Sequence, residues 1–229
     1  MITLAVPSKG RLMEKTFAWF ASHGVTLRRT GTDRDYAAEV ADLPVDLRLM
    51  SAGEIPGALA SGAIHMGVTG SDLVYEKIPA WDQAVESLAD MGFGHADLVI
   101  AVPAWWVDVR GLDDLDAVAA DFRQAHGHRL RIATKYHRLV RDFLRDAGVA
   151  DYRLIDSQGA TEGTVAHGTA EAIADITSTG DTLRANHLRV LEDGLIHRSQ
   201  ATLFRARGAD WGADEAAALK ALLAKLQLD

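Results

Sequence analysis

Cysteine is absent from this chain of 229 residues, which excludes disulfides, thiolate metal sites and cysteine nucleophiles together. Proline is scarce, with five residues in all, and no long linker, internal repeat or low-complexity stretch divides the sequence. No apolar segment approaches the about eighteen residues that span a bilayer. The N-terminal MITLAVPSKGR lacks the basic-then-apolar pattern of a secretory signal, so a cytoplasmic soluble protein is expected. Positive charge is also in deficit. The 24 Lys and Arg against 32 Asp and Glu leave a formal charge of −8, which argues against a nucleic-acid surface but permits a local basic pocket. Nine histidines include one close pair, His126 and His128, without HExxH spacing or a partner carboxylate, so a solvated loop is the expectation there.

What is present reads as an α/β protein. Hydrophobic residues make up 48% and charged residues 24%, enough to bury one large core or those of two small lobes. Strand-like runs at 2–6, 45–50, 65–68, 98–102, 130–133, 189–191 and 201–204 alternate with helical patterns at 12–20, 55–60, 112–122 and 138–144. Such alternation predicts mostly parallel sheets. Residues 214–226 predict an amphipathic helix, with Leu219, Leu222, Leu223 and Leu226 at helical spacing. The bend at Gly92-Phe93-Gly94 and the region after Leu183 mark candidate boundaries.

The most informative stretch is EGTVAHGTAEAIADITSTGDTL, residues 162–183. The segment Ile173-Ala174-Asp175-Ile176 runs into Thr177, Ser178, Thr179, Gly180, Asp181 and Thr182. A strand ending in hydroxyls and a glycine, then opening a helix, presents backbone N–H groups to an anion, with Ser178, Thr179 and Thr182 adding donors. Asp175 is placed to hold ribose hydroxyls or a magnesium ion. An ordinary turn with a capped helix fits the fragment equally well. Lys9, Gly10 and Arg11 repeat the strand-to-helix pattern, and two cations beside a helix N-terminus oppose its dipole unless an anion sits there. Gly70, Ser71 and Asp72 form a third such junction, read alternatively as a helix cap. Lys135 and Tyr136 end a fourth strand.

Taken in order, these pieces resemble one family. Pro7 to Leu12, Gly67 to Leu73, Ile132 to Tyr136, Gly159 to Glu162, and the set Glu162, Gly168, Ala170, Ile173, Asp175, Thr179-Gly180 and Thr182-Leu183 are similar to the motifs of ATP phosphoribosyltransferase, the first enzyme of histidine biosynthesis. The resemblance covers about residues 2–205. It implies a periplasmic-binding-protein-like (type II) fold of two lobes around a cleft, one from 1–94 plus 184–229 and one from 95–183. It also implies transfer of phosphoribose from 5-phosphoribosyl pyrophosphate to N1 of ATP, with Mg2+ accompanying the substrates. Glu162 and Asp175 would then serve the ribose, the loop of residues 177–182 its 5-phosphate, and Lys9 and Arg11 the polyphosphates. Gly10, Gly70, Ser71, Asp72, Lys135 and Tyr136 would serve ATP or pyrophosphate.

The length resembles the family's short form, which implies a homo-oligomer and a regulatory subunit similar to histidyl-tRNA synthetase. Two departures stand out. Ser51 occupies the place of a family arginine, leaving Arg48 or a neighbouring subunit to replace it, and His137 stands where relatives carry proline. A non-catalytic small-anion binding protein on the same scaffold, or a phosphoribosyltransferase with another acceptor, are the rival expectations.

Overall fold

A computed structural model, describing residues 1–29, 37–41, 43–157 and 159–228, turns the first apolar run into β1 (Ile2–Pro7) with all six residues buried. α1 (Gly10–Ser22) follows and buries Thr16 and Phe20. Thr16 is accommodated because its hydroxyl donates to the Leu12 carbonyl at 2.7 Å. Next come β2 (Leu27–Arg29), β3 (Ala37–Val40), β4 (Val45–Met50) and α2 (Ile55–Ala60). β5 (Met66–Gly70), α3 (Ser71–Lys77), α4 (Trp81–Ala84) and β6 (Val85–Asp90) complete the first stretch. Beyond it lie β7 (Ala96–Pro103), α5 (Leu112–His126), β8 (Leu130–Thr134), α6 (His137–Asp146) and β9 (Tyr152–Asp156). α7 (Gly163–Ala166), β10 (Ala172–Thr177), α8 (Asp181–Ala185), β11 (Leu188–Ser199), β12 (Ala201–Ala206) and α9 (Ala213–Leu226) end the chain.

The chain divides into two units, Met1–Gly94 with Gln200–Asp229, and His95–Ser199. Gly92 and Gly94 both take left-handed φ, 72° and 70°, which makes the bend where the first unit is left. The return differs from the sequence expectation. Residues 184–199 belong to the second unit, because β11 pairs antiparallel with β7 from Leu188↔Pro103 to Ser199↔Ala96. An amphipathic run after a glycine-containing loop carries no mark of which sheet it will join.

The first unit holds a seven-stranded sheet in the order β2-β3-β4-β1-β5-β12-β6, and the second a five-stranded sheet, β11-β7-β10-β8-β9. Both are mixed, which corrects the expectation of mostly parallel sheets. Only β4-β1-β5 and β10-β8-β9 are parallel. The strands next to the crossings between units run the other way, β12 against β5 and β6, and β7 against β10 and β11. The expected parallel grammar therefore survives as one three-stranded core per sheet, each strand followed by a helix or loop at its carboxyl end.

α9 buries Ala218, Leu219, Leu222 and Leu226 against the first core, and Leu223 lies at its margin. In the second unit an ion pair ties the amino ends of β8 and β10. Glu171 accepts the Arg131 N–H at 2.7 Å and the guanidinium at 2.5 Å, and the same guanidinium donates to the Gly168 carbonyl at 2.9 Å. Burial alone would push Glu171 up, but the Arg131 hydrogen bonds outweigh it and hold the carboxyl below the usual range.

Leu222→Ala should lower the unfolding free energy by about 2–5 kcal/mol, and Leu223→Ala by clearly less, as read from urea midpoints. The depressed Glu171 carboxyl stabilises the fold above its unfolded pKa, and that contribution disappears as pH falls through the folded value. The stability lead of the native chain over Glu171→Gln should thus be full at neutral pH and shrink as pH drops below about 4.3.

Candidate active site

The parallel core of the second sheet sets the site. Ala174 is level with Thr134 and Thr134 with Asp156, so β10, β8 and β9 end at one edge. Ligands of open α/β sheets sit beyond such carboxyl ends. Asp175 and Thr177, both half-buried, close β10 there. From β8 come Thr134, Lys135 and Tyr136, and from β9 the loop leading to Glu162. Ser157 N–H donates to the Thr134 carbonyl at 3.2 Å, joining the two neighbouring strand ends.

A buried pair of hydroxyls organises the Glu162 loop. Ser157 and Thr161 are 4% and 0% exposed, and their oxygens are 2.9 Å apart. Thr161 is thereby turned inward and is not a cap for α7. Glu162 itself immediately precedes that helix and makes no capping hydrogen bond with its side chain. Lys135 is reached from the same loop, its ammonium donating to the Gly159 carbonyl at 2.7 Å. Tyr136 is buried at 6% exposure, with its N–H on the Thr134 hydroxyl at 2.9 Å; this is a core position for the ring.

The hydroxyl loop after β10 is wound upon itself. Gly180 N–H donates to the Thr177 hydroxyl at 2.9 Å, and the Thr179 hydroxyl donates to Asp181 at 2.6 Å. Ser178 donates to the His95 carbonyl at 2.9 Å. Arg184 clasps the loop from below, reaching the Thr179 carbonyl at 3.0 Å and Asp181 at 2.6 Å. The Thr179 hydroxyl, followed by Arg184, holds the Asp181 carboxyl below the usual carboxylate range. Gly180 takes φ 74°, a conformation that favours glycine, and a Cβ there would stand 2.9 Å from the movable tip of Arg184, so conformation more than space calls for glycine. Thr182, exposed, opens α8 beside it.

The first sheet repeats the arrangement with β1, β4 and β5. Pro7 is level with Met50, and Ser8 N–H donates to the Met50 carbonyl at 2.8 Å. Lys9 is extended and exposed, Gly10 takes φ 71°, and Arg11 is exposed on the first turn of α1. Gly70 precedes α3, while Ser71 and Asp72 are buried in its first turn, 7% and 6% exposed. The buried Thr69 hydroxyl donates to the Ala52 carbonyl at 2.8 Å, tying the end of β5 to the loop after β4. Arg48 stands apart. It lies two residues short of the end of β4, and its guanidinium pairs with Asp46 at 3.0 Å.

The family model described as ATP phosphoribosyltransferase (HisG) matches residues 51–228. An ATP phosphoribosyltransferase of Cereibacter sphaeroides is 64% identical over 228 residues, covering 99% of this chain and 96% of that protein. The chain belongs to the ATP phosphoribosyltransferase family. Membership places it among the pentosyltransferases of histidine biosynthesis and does not favour the reading as a non-catalytic anion binder. Among solved structures, a chain of the ATP phosphoribosyl transferase (HisG:HisZ) complex from Thermotoga maritima superposes with a TM-score of 0.72 at 24% identity, covering 99% of this chain and 97% of that one. A histidine kinase sensor domain with similarity to periplasmic binding proteins gives 0.52 at 14% identity, over 99% of this chain and 89% of that one. Both likenesses show the fold, the periplasmic-binding-protein-like architecture expected above.

Within the ATP phosphoribosyltransferase family this member's two departures acquire local explanations. His137 is the first residue of α6, the position where proline is favoured in general, and its ring lies 3.5 Å from Asp156. Ser51 opens the loop after β4, and a different cation reaches that loop: Lys77, from the end of α3, donates to the Gly53 carbonyl. The sequence gives no sign of Lys77, since no spacing relates it to the motif. The Ser157–Thr161 pair was missed as well, although two hydroxyls flanking a glycine in a strand-to-helix loop were the available signal.

Ser157→Ala leaves the Thr161 hydroxyl buried without its partner and should cost about 1–3 kcal/mol of stability. Combining it with Thr161→Val should recover part of that loss, and urea unfolding of the two single variants and the double variant measures the coupling.

Proposed function

We propose that this chain joins N1 of ATP to C1 of 5-phosphoribosyl pyrophosphate, with its chemistry at the carboxyl edge of β10, β8 and β9. One observation supports the reading: in a member of this family, Asp175 and the hydroxyl loop of residues 177–182 end β10, and the segment leading to Glu162 leaves β9 at the same edge of the sheet, with β8 between the two strands. The lone pair of N1 forms the new bond as the C1–O bond breaks, and the bonding electrons leave with pyrophosphate. N1 has no proton to lose, so the reaction needs positioning and charge balance more than a strong base.

In this assignment the 5-phosphate lies on the loop from Thr177 to Thr182. Thr179 exchanges its hydrogen bond to Asp181 for one to phosphate, and Arg184 keeps Asp181 neutralised. Asp175 and Glu162 face the ribose, where positive charge develops. Lys9 and Arg11, with Gly10, Gly70, Ser71, Asp72 and Lys135, serve the polyphosphates of ATP and the leaving group. Lys77, which reaches the loop that Ser51 opens, joins Arg48 as a substitute for the family arginine.

Magnesium fits as an ion carried by the substrates. Among the described residues no group of three or more His, Asp or Glu is placed to hold a metal. Magnesium is commonly held by one or two carboxylates together with substrate phosphates, and Asp175 offers one carboxylate at the edge. No helix among the described residues is long and apolar enough to cross a membrane, and a cytoplasmic location suits the substrates. A regulatory subunit completes the proposal, supported by the Thermotoga maritima HisG:HisZ complex; that this subunit resembles histidyl-tRNA synthetase, and that the chain forms a homo-oligomer, rest on the family resemblance.

The test follows product absorbance from ATP and 5-phosphoribosyl pyrophosphate with magnesium and pyrophosphatase, with and without the regulatory subunit. Asp175→Asn should lower kcat about 100-fold with the fold intact. Thr179→Ala should raise the KM for the ribosyl donor about 10-fold, the worth of one hydrogen bond to a charged group. If both variants unfold, the loop is structural and the assignment fails; if folded native chain never turns over, the activity itself is refuted.

A further inference from the structure

The opposite end of the second sheet carries a concentration of positive charge that the proposed chemistry does not use. Tyr152 and Leu130 are paired at the amino ends of β9 and β8. Thr134 lies four residues further on, so the two ends of β8 are about 13 Å apart at 3.3 Å per residue. A cavity of about 530 Å³ opens there, lined by Arg129, Arg141, Arg145, Val149, Tyr152 and Leu154 among others. A second recess of about 390 Å³, bounded by His128, Arg131 and Arg153, shares Arg129 with it.

The neighbouring acids are largely committed. Asp151 pairs with Arg123 and Arg129, Asp142 with Arg138 and Arg145, Asp146 with Arg145, and Glu171 with Arg131. Among the described residues the Arg141 guanidinium makes no hydrogen bond or ion pair, and its charge is felt at the Tyr152 hydroxyl. Burial pushes that hydroxyl's pKa up while the charges of Arg141 and Arg145 draw it down. The lining combines two chemistries. Three guanidinium groups are suited to phosphate oxygens. The Tyr152 ring with Val149 and Leu154 is suited to a planar ring. The volume is that of an ordinary small-molecule pocket.

We propose that this pocket is a second ligand site, taking a phosphorylated, ring-bearing anion of nucleotide size, separate from the substrate edge. The guanidinium groups bind the phosphates and the Tyr152 ring stacks on the ligand's ring, so both parts of the ligand contribute. The inference stands independently of the residue roles proposed above.

A backbone-amide NMR titration of the full ¹⁵N-labelled chain tests it. GTP serves as the probe because its base is not the adenine acceptor, and inorganic pyrophosphate is the ring-free comparison. GTP at millimolar concentration or below should move the amides of Gly148, Ala150 and Tyr152, and Arg141→Ala should weaken that response about 10-fold. Tyr152→Leu should weaken GTP binding and leave the pyrophosphate titration unchanged. The spectra report folding of each variant directly, and Arg141→Gln offers a second removal of the charge. Absence of shifts at these amides overturns the site. Equal affinity for both probes, insensitive to Tyr152→Leu, overturns the ring-bearing class. Arg141→Ala should retain turnover of ATP and 5-phosphoribosyl pyrophosphate; loss of turnover in the folded variant would assign the pocket to the substrates and overturn its separateness.

Discussion

Ile173, fully buried and level with Ala101 on one side and Ala133 on the other, fixes the register of β10. Everything the second unit presents at its carboxyl edge is counted from that residue. With Ile173 held, Asp175 and Thr177 fall at the rim, and the glycine of the hydroxyl loop meets Arg184. A slip of one residue would send Asp175 to the opposite face of the sheet, because side chains alternate with period two. Three successive residues with no exposure, Ala172 to Ala174, make such a slip costly. Burial in the middle of the sheet thus positions polar groups that have no strong packing of their own.

Much of the fold was legible for the same reason. β1, β4 and α2 declare themselves by apolar run or period, and Val45–Met50 and Ile55–Ala60 coincide with the sequence reading. What escaped were elements with too few apolar residues to carry a period. β2 has three residues, two of them arginine, and β9, at the sheet edge, buries none of its five residues fully. The parallel cores followed from strand-helix alternation, but the antiparallel returns did not. β11 instead turns back antiparallel against β7 within its own unit, which no βαβ rule dictates, so the membership of residues 184–199 follows from pairing alone.

Legibility of the site divides along similar lines. The strand-to-helix junctions after β1, β5, β8 and β10 could be recognised because glycine and hydroxyl residues stand where a backbone must turn closely. The side-chain partners within them could not be. Arg48 and Asp46 are two apart on a strand and therefore share a face, a relation that was readable once β4 was assigned. Ser157 with Thr161, Lys77 with Gly53, and Lys135 with Gly159 depend on loop paths that no periodicity encodes. These contacts give the loops their shape, and they are where sequence pattern stops and tertiary structure begins.

A chain of net charge −8 that handles polyanions has to settle its own carboxylates first. On the hydroxyl loop, Asp181 is held by Thr179 and Arg184, so its charge is already answered at the proposed phosphate position. Replacing the Thr179 contact by a phosphate oxygen keeps Arg184 between the two negative groups, and the exchange trades one charge-assisted hydrogen bond for another. Among the described residues no guanidinium pairs with Asp175 or Glu162; the Asp175 carboxylate accepts its neighbour's N–H, from Ile176 at 2.8 Å. A backbone donor leaves the full negative charge in place. Under the proposed assignment that charge becomes useful at the moment pyrophosphate departs and the ribose turns cationic, since a fixed carboxylate interacts more strongly with the transition state than with the neutral sugar before it. Under that assignment, the division between the answered carboxylate of Asp181 and the unanswered ones of Asp175 and Glu162 is the division between holding the donor and activating it.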